Sequence, residues 1–312
     1  MFMLKKIVNI LLSLLLCCSL VGCGIGKTSP ILEIKKGISF ELLDALRVDN
    51  ATNNTVYYYF LGNVENNSKS DFSMSNLEYE ITDKENKKIH SIDSDEVKIV
   101  QELKAGQSTF IYGYVGYPNN NQENMGISFP KFDQFLPFSS VDVRKISDKN
   151  VKHSDSKKFT LYEDDQFKCK VDASDLKYSF ENGNSVVRGL KVTYKNKTDQ
   201  QRVVPYLTPK GTLSGLDLNL YANLGDFSKM PLEKVKKIRF KKAGNQLRTI
   251  KKESMTTGYE CFYLDKKQSI TCEIGFIFEK CIPDFKKHDP KAITIDLNSA
   301  SFGYSDTIQV DY

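Results

Sequence analysis

The chain has 312 residues, more than one hydrophobic core usually supports, so we expect two domains. A hydrophobic fraction of 40% excludes a wholly disordered chain, and 16 tyrosines and 19 phenylalanines without tryptophan favour β-strands. The net charge of +5, from 44 basic and 39 acidic residues, is too small to indicate a nucleic-acid-binding protein.

The N-terminus has the features of an export signal. Lys5 and Lys6 supply positive charge, and residues 7–16 form an apolar run that only Asn9 and Ser13 interrupt. This run is too short to cross the roughly 30 Å hydrocarbon core of a membrane as a stable helix. The pattern therefore predicts a signal peptide.

The residues that follow, Leu20-Val21-Gly22-Cys23, resemble the lipobox of bacterial lipoproteins. The resemblance implies cleavage after Gly22 and a diacylglycerol on the Cys23 sulfur, with palmitate-like chains that anchor the protein to the extracellular face of the cell membrane. A plain secretory signal with a coincidental cysteine is the alternative. We assign residues 1–22 to a lipoprotein signal peptide and residues 23–36 to a lipidated tether.

Short apolar alternations broken by Asn, Asp, Ser and Gly begin at residue 37 and predict antiparallel sheets. The strongest predicted strands of the first half cover residues 55–64, 77–83 and 109–117. Residues 130–138 are expected to form an apolar loop that closes one end of this domain. Some of the tyrosines at 57–59 and 112–117 are expected to be exposed, although cross-strand packing is the commoner use.

A polar stretch divides the chain and the strand pattern is then repeated. We assign residues 37–147 to a first domain, 148–158 to a linker and 159–312 to a second domain. A strand ending in Asn66-Asn67-Ser68 corresponds to one ending in Asn196-Lys197-Thr198, and a Gln-Ser turn follows each of them at residues 107–108 and 268–269. The spacing is longer in the second half, which indicates an insertion.

This combination of a Gly-x-Val-x-Asn-x-Ser strand end with a later Leu-x-x-Gly-Gln-Ser turn, at residues 62–68 and 103–108, resembles the FxLYD-like and related immunoglobulin-like domains of Gram-positive surface lipoproteins. The resemblance implies two antiparallel β-sandwiches in tandem, with no catalytic residue and no cofactor. The predicted fold class is all-β.

Motifs for catalysis or metal binding are not found in the sequence. It has no Gly-x-Ser-x-Gly, His-Glu-x-x-His or phosphate loop, and its three histidines lack zinc-ligand spacing. The acidic groups at residues 93–96 and 163–165 are interpreted as solvated turns, because neither has the spacing of a calcium loop.

Four cysteines lie in the predicted domains, at 169, 261, 272 and 281, which permits two disulfides in an exported chain. Cys261 and Cys272 are the preferred pair, because they flank a polar turn and could face each other across a hairpin. Free buried thiols are the alternative.

Basic residues concentrate in one segment of the second half. Residues 229–252 contain ten Lys or Arg and one acid. Residues 231–240 fit either a short helix opened by Pro231 or a strand edge guarded by lysines. A solvated face is one interpretation, and contact with anionic envelope polymer or lipid headgroups is the other. The predicted binding residues are Lys234, Lys236, Lys237, Arg239, Lys241 and Lys242.

The predicted function is a membrane-anchored extracellular lipoprotein that acts as a non-catalytic binding or interaction module at the cell envelope. Its expected partners are the membrane, through the lipid on Cys23, and either an anionic envelope polymer or a surface protein. Nucleic acid is disfavoured. The alternatives are an envelope hydrolase with catalytic residues on loops and a structural spacer for a partner protein.

Overall fold

The computed structural model describes residues 30–50, 54–83, 93–98, 100–118, 124–146, 156–181, 184–205, 210–213, 220–221, 223–225, 237–239, 249–251, 261–278, 293–296 and 307–309. These residues form strands, turns and three short 3₁₀ helices, and none of them lies in an α-helix. The all-β prediction is confirmed, with antiparallel sheets in a β-sandwich-like arrangement.

The first half contains eleven described strands, whose bounds agree with most of the alternating segments of the sequence. The 3₁₀ helices cover Met74–Asn76, Pro130–Phe132 and Phe138–Ser140. The strands are β1 (Ile31–Lys35), β2 (Ile38–Asn50), β3 (Thr55–Asn66), β4 (Phe72–Ser73), β5 (Glu80–Asp83), β6 (Asp93–Lys98), β7 (Glu102–Leu103), β8 (Ser108–Pro118), β9 (Met125–Phe129), β10 (Gln134–Pro137) and β11 (Arg144–Ile146).

The second half contains fourteen described strands. They are β12 (Lys158–Glu163), β13 (Phe167–Asp172), β14 (Lys177–Glu181), β15 (Asn184–Asn196), β16 (Arg202–Pro205), β17 (Lys210–Leu213), β18 (Leu220–Tyr221), β19 (Asn223–Gly225), β20 (Lys237–Arg239), β21 (Thr249–Lys251), β22 (Cys261–Leu264), β23 (Ser269–Phe278), β24 (Ile293–Asp296) and β25 (Thr307–Gln309).

Each half is built around one large sheet. The first large sheet has the order β1-β2-β3-β8-β6, with β11 paired in parallel to β2. The second large sheet has the order β12-β13-β15-β23-β19, with β14 paired to β15. The remaining strands form a three-stranded sheet (β10-β9-β5), a four-stranded sheet (β18-β17-β24-β25) and the pairs β4-β7, β16-β22 and β20-β21.

The three-stranded sheet packs on one face of the first large sheet, because the apolar residues of both sheets alternate toward each other. Phe40 and Phe129 meet edge to face with ring centroids 5.1 Å apart, and Phe60 meets Tyr79 at 5.4 Å. These residues belong to a core cluster made entirely of first-half residues.

The β16-β22 pair lies between the two large sheets. The Tyr263 ring contacts Tyr112 on the first large sheet at 5.7 Å between centroids, whereas the adjacent Phe262 contacts Tyr194 on the second at 5.0 Å. Successive residues of a strand point to opposite faces, so β22 packs against both large sheets. One core cluster therefore contains residues of both halves.

Asn66 ends β3 and is fully buried at 0% exposure. Its Nδ2 donates to the carbonyl oxygens of Ser70 and Leu103, both at 2.9 Å, and its Oδ1 accepts from the Ser68 amide at 3.0 Å. The Asn66 amide donates to the Gln107 carbonyl at 2.9 Å. One side chain thus joins the end of β3 to the turn that precedes β8.

Asn196 ends β15 and makes the same set of bonds. Its Nδ2 donates to the carbonyl oxygens of Gln200 at 2.7 Å and Asp265 at 2.9 Å, and its Oδ1 accepts from the Thr198 amide at 2.9 Å. The Asn196 amide donates to the Gln268 carbonyl at 2.9 Å. The sequence correspondence between the two Asn turns thus has a matching hydrogen-bond pattern.

Two boundaries differ from the sequence prediction. Residues 31–35, assigned to the tether, form β1, which pairs with β2 from Ile31 opposite Glu41 to Lys35 opposite Ile38. At the predicted linker, β12 begins at Lys158, whereas residues 147–155 lie outside the described residues. The tether prediction is therefore wrong from residue 31 onward.

Two segments predicted as loop or turn are strand. Residues 134–137 form β10, which pairs with β9 along Phe129, Ser128, Ile127 and Gly126. Residues 93–96 lie in β6, which pairs with β8. The β9-β10 pairing is a local hairpin closed by the turn at residues 130–133, whereas β6 pairs with a strand further along the chain, and the local composition that suggested loops revealed neither pairing.

The expectation that some strand tyrosines are exposed is wrong. The tyrosines at positions 57, 58, 59, 112, 114 and 117 are all buried. The cause is that both faces of the first large sheet are covered, one by the three-stranded sheet and the other by the β16-β22 pair.

Candidate functional site

A pocket of about 360 Å³ opens on the outer face of the three-stranded sheet. Its lining comes from all three strands and from the 3₁₀ helix between β9 and β10. The described lining residues are Glu80, Thr82, Ser128, Pro130, Asp133, Gln134 and Phe135. Two of these are carboxylic acids and none is basic.

Strand register places the polar groups together. Glu80 and Thr82 are two positions apart on β5 and so point to the same face. Glu80 pairs with Ser128 on β9, and Ser128 also pairs with Phe135 on β10. The three strands thus present a carboxylate, two hydroxyls and an aromatic ring on one side of the sheet.

Asp133 reaches the pocket through an unusual backbone conformation. It follows the 3₁₀ helix Pro130–Phe132 and has φ 53° and ψ 44°, in the left-handed region that Asp adopts more readily than most residues. Its amide donates to the Pro130 carbonyl at 3.3 Å. This tight turn starts β10.

Gly126 allows the Phe135 ring to lie against the floor of the sheet. A Cβ at Gly126 would be 2.7 Å from Phe135 Cζ and 2.3 Å from the Leu136 carbonyl oxygen. Gly126 is paired with Thr82 across β5 and β9, so the ring lies beside the Thr82 position. Any larger residue at 126 would displace the ring or the β10 backbone.

Thr82 has an unsatisfied hydroxyl. Its residue is 7% exposed, and its Oγ1 has no hydrogen-bond partner among the described residues. Buried polar atoms without a partner are rare in folded proteins and call for an explanation. A ligand in the pocket is one such explanation.

Two carboxylates, those of Glu80 and Asp83, lie on β5. Burial, and after it the repulsion of the phenolate charge by the carboxylates of Glu80 and Asp83, raises the pKa of Tyr117 to about 12. The neutral Tyr117 hydroxyl donates to the Ile81 carbonyl. Lys131, which follows Pro130 of the lining, is paired with Glu78 at 2.6 Å. Lys84, the basic residue that directly follows β5 in the sequence, lies outside the described residues.

A second polar cluster joins the two halves. Asp44 is 1% exposed, and its Oδ1 accepts from Arg144 Nε and Arg202 Nη1, both at 2.9 Å. Its Oδ2 accepts from the Val203 amide at 2.8 Å and from Arg144 Nη2, which also donates to the Val203 carbonyl. All the described groups of this cluster are paired, so it is a structural lock between the halves.

The lock depends on a β-bulge. The register between β2 and β3 shifts between Leu42 and Asp44, and such a shift re-aims the side chains that follow it. Arg144 arrives on β11, which runs parallel to β2, and Arg202 begins β16. The cluster therefore joins residues 44, 144 and 202.

The lipidation residue Cys23 lies outside the described residues, so its lipidation stays a prediction. No described residue belongs to a helix with the length and hydropathy of a membrane span. Within the described part of the chain, no group of three or more His, Cys, Asp or Glu is placed to hold a metal ion.

The basic segment is described only in part. Lys237 and Arg239 lie on β20, which pairs with β21, so the strand interpretation is confirmed at residues 237–239 and the helix interpretation is wrong there. The other predicted binding residues, Lys234, Lys236, Lys241 and Lys242, lie outside the described residues.

Cys261 and Cys272 lie on different sheets. Cys261 is buried on β22, which pairs with β16, whereas Cys272 lies on β23, which pairs with β15 and β19. The two strands are joined by a short turn but do not form one ladder. The disulfide between them stays a prediction, and Cys169 is buried on β13.

Sequence reasoning did not identify the pocket or the lock as sites, although the segment 130–138, interpreted as a closing loop, supplies several of the described lining residues. Thr82 and Ser128 look like ordinary outward-facing residues of alternating strands. Asp44 carried a signal, because it is a lone charge within the apolar run Leu42-Leu43-Asp44-Ala45-Leu46.

A comparison with protein-family models finds none that matches this chain, and a comparison with curated proteins finds no match.

Proposed function

We propose that this chain is a lipid-anchored protein of the extracellular membrane face, with tandem immunoglobulin-like sandwiches that act as a non-catalytic interaction module. The observation that carries the proposal is the open polar pocket on a body whose two halves share one core. Such a body holds a binding surface at a fixed orientation, and the lipobox at residues 20–23 supports its location.

The distance to the membrane is short in this proposal. Seven residues, 24–30, lie between Cys23 and Ile31, the first residue of β1, so the two Cα atoms are eight residue steps apart. Fully extended residues span at most about 3.6 Å each, so β1 begins within roughly 29 Å of the lipid anchor. The module therefore acts close to the membrane surface.

The anchor is tested by replacing Cys23 in the full chain. We expect Cys23→Ala to abolish metabolic labelling with an alkynyl palmitate and to release the protein from the membrane fraction. Cys18→Ala is the matched control, because Cys18 lies within the predicted signal peptide and its loss should leave labelling unchanged. Labelling that persists in Cys23→Ala contradicts the anchor.

The basic segment is proposed as a second contact, with anionic envelope polymer. Its net positive charge attracts phosphate-rich polymers, and this attraction weakens as salt screens it. The test is capture of envelope material by the full chain with all six predicted binding residues changed to Gln. We expect capture to fall, and capture by the unchanged chain to decline between low and high salt.

The matched control removes six positive charges elsewhere. Lys36, Lys69, Lys104, Lys145, Lys170 and Lys195 are exposed and spread over both halves. Their replacement by Gln changes the net charge equally, so it separates a local site from a general charge effect. An equal loss of capture in the two six-residue variants contradicts a site in the basic segment. If the unchanged chain also captures no envelope material, the spacer alternative is favoured.

A further inference from the structure

The pocket on the three-stranded sheet combines negative charge, an unsatisfied hydroxyl and an apolar wall. We propose that it binds a primary ammonium group carried on an alkyl chain, either a free alkylamine or a lysine side chain. The proposal names a ligand class for the interaction module. It rests on the proposed function, because that function places the pocket at the extracellular membrane face, where the ligand would be encountered.

Charge selects a cation over an anion. Glu80 and Asp133 are both exposed residues of the lining, and no basic residue is among the described lining residues. Lys131, which follows Pro130 of the lining, is held by Glu78 at 2.6 Å. An ammonium group at the pocket mouth would therefore meet two carboxylates and no competing cation from the described lining.

The hydroxyl of Thr82 selects a hydrogen-bond donor. An ammonium group carries three donors and no acceptor, so one N–H can be given to Thr82 Oγ1 while the others meet the carboxylates. The buried Oγ1 has no partner among the described residues. A ligand that donates to it removes the cost of an unsatisfied buried group.

The apolar wall suits the alkyl stem. The Phe135 ring lies over Gly126, which is paired with Thr82, and Pro130 lines the same pocket. Alkyl stems of amines pack on such surfaces while the charged end remains near polar groups, and an aromatic face attracts the cation itself. The volume of about 360 Å³ is within the range of small-ligand pockets.

The experiment titrates the purified full chain with n-butylammonium and, separately, with N-acetyl-lysine methylamide. Binding is followed by calorimetry and by the NMR signals of the probe, with n-butanol and methyl glucoside as neutral probes. Stronger binding of the lysine amide indicates a protein ligand, and stronger binding of n-butylammonium indicates a small amine. Equal or stronger binding of either neutral probe overturns the proposal.

Variants locate the site. We expect Thr82→Val, which keeps the side-chain shape, to weaken ammonium binding about tenfold, as for a hydrogen bond to a charged group. Glu80→Gln and Asp133→Asn should each weaken it about threefold, as for exposed ion pairs. Glu102→Gln, which removes an exposed charge on β7, is the control and should leave the affinity unchanged.

The result is independent of the anchor and of the basic segment. Unchanged affinity in Thr82→Val, or an equal loss in Glu102→Gln, overturns the pocket assignment even if both earlier tests succeed. The thermal unfolding midpoint of each variant, measured alongside, shows that a loss of binding arises in a folded protein. If Thr82→Val does not fold, the carboxylate variants and the neutral probes still decide.

Discussion

Asn66 and Asn196 show how much a single amide can hold in place. Both are fully buried, and each satisfies its donor and acceptor atoms with groups from two separate turns. Ser68 Oγ adds a further bond to Asn66 Oδ1 at 2.6 Å. Their role could be anticipated in part from the sequence, because Asn followed two residues later by Ser or Thr is a common turn pattern.

Replacing either asparagine should destabilise the protein strongly. Asn66→Ala leaves the buried Leu103 carbonyl without its donor, and we expect a loss of about 2–4 kcal/mol from several broken bonds. Denaturant unfolding of the full chain measures it. Asn67→Ala is the control, since Asn67 is exposed, and an equal loss in both variants would show that the buried amide has no special role.

Asp172 gives a prediction for the dependence of stability on pH. Hydrogen bonds from Lys158, 2.8 Å away, and from Ser174 lower the pKa of Asp172 from 3.8 to about 2. The carboxylate of Asp172 thus binds a proton less tightly in the folded state than in the unfolded state. The stabilisation is complete above about pH 4 and is lost as the pH falls toward about 2.

The measurement is the free energy of unfolding as a function of pH. Asp172→Asn should have a shallower decline than the unchanged protein between about pH 4 and about pH 2. Lys158→Gln should flatten the decline in the same direction, because it removes the first cause of the lowered pKa. An unchanged slope in Asp172→Asn would mean that this carboxylate is not stabilised in the folded state.

At the scale of elements, the strands of the large sheets were predictable because alternation is a local property. Strand β2 (Ile38–Asn50) continues past the charged residue Asp44 with a bulge between Leu42 and Asp44, which alternation alone does not indicate. Strand β10 was missed, because Pro130 before it and Pro137 at its end suggest a loop, although it forms a hairpin with the preceding strand β9. The pocket was missed because the pairing of β5 with β9 brings Thr82 beside Ser128 and Phe135 from a separate part of the chain.

The pairing of β2 with β3 depends on the absence of a side chain at Gly62. A Cβ there would lie 2.0 Å from Phe40 Cε2, and Phe40 is fully buried. We expect Gly62→Ala to destabilise the protein by about 2–3 kcal/mol through overpacking. Equilibrium unfolding in urea measures the change.

A second substitution identifies the cause. Phe40→Leu shortens the side chain that the new Cβ meets, so the double variant Gly62→Ala/Phe40→Leu should be more stable than the sum of the two single losses predicts. Simple additivity would indicate that the clash is relieved elsewhere and that the close approach is not what fixes this pair of strands.

At the scale of the whole molecule, the two halves are not independent. The face of the first large sheet that carries Tyr57, Tyr59 and Tyr112 is buried in a cluster that includes Val203 and Tyr263 of the second half. A sequence with two similar strand patterns suggests separable domains, but repeat patterns carry no information about what covers the outer face of a sheet. We therefore expect a single cooperative unfolding transition for these parts of both halves, measured by differential scanning calorimetry.

The Asp44 lock should couple the halves. Asp44→Ala leaves the buried Arg144 without its carboxylate partner, and removing one member of a buried ion pair costs about 3–5 kcal/mol. The same variant removes the acceptor for Arg202 and the Val203 amide. We expect a lower unfolding temperature and a broadened or divided transition.

Asp49→Ala is the matched control on the same strand. Asp49 is paired with Arg47 at 2.7 Å, but its side chain is 48% exposed, so its loss should cost less than about 1 kcal/mol and leave one transition. If Asp44→Ala and Asp49→Ala have equal effects, the shared aromatic core alone joins the halves. A divided transition in Asp44→Ala only would show that buried charge fixes their relative position, because aromatic packing tolerates small shifts more readily than a carboxylate with four fixed donors.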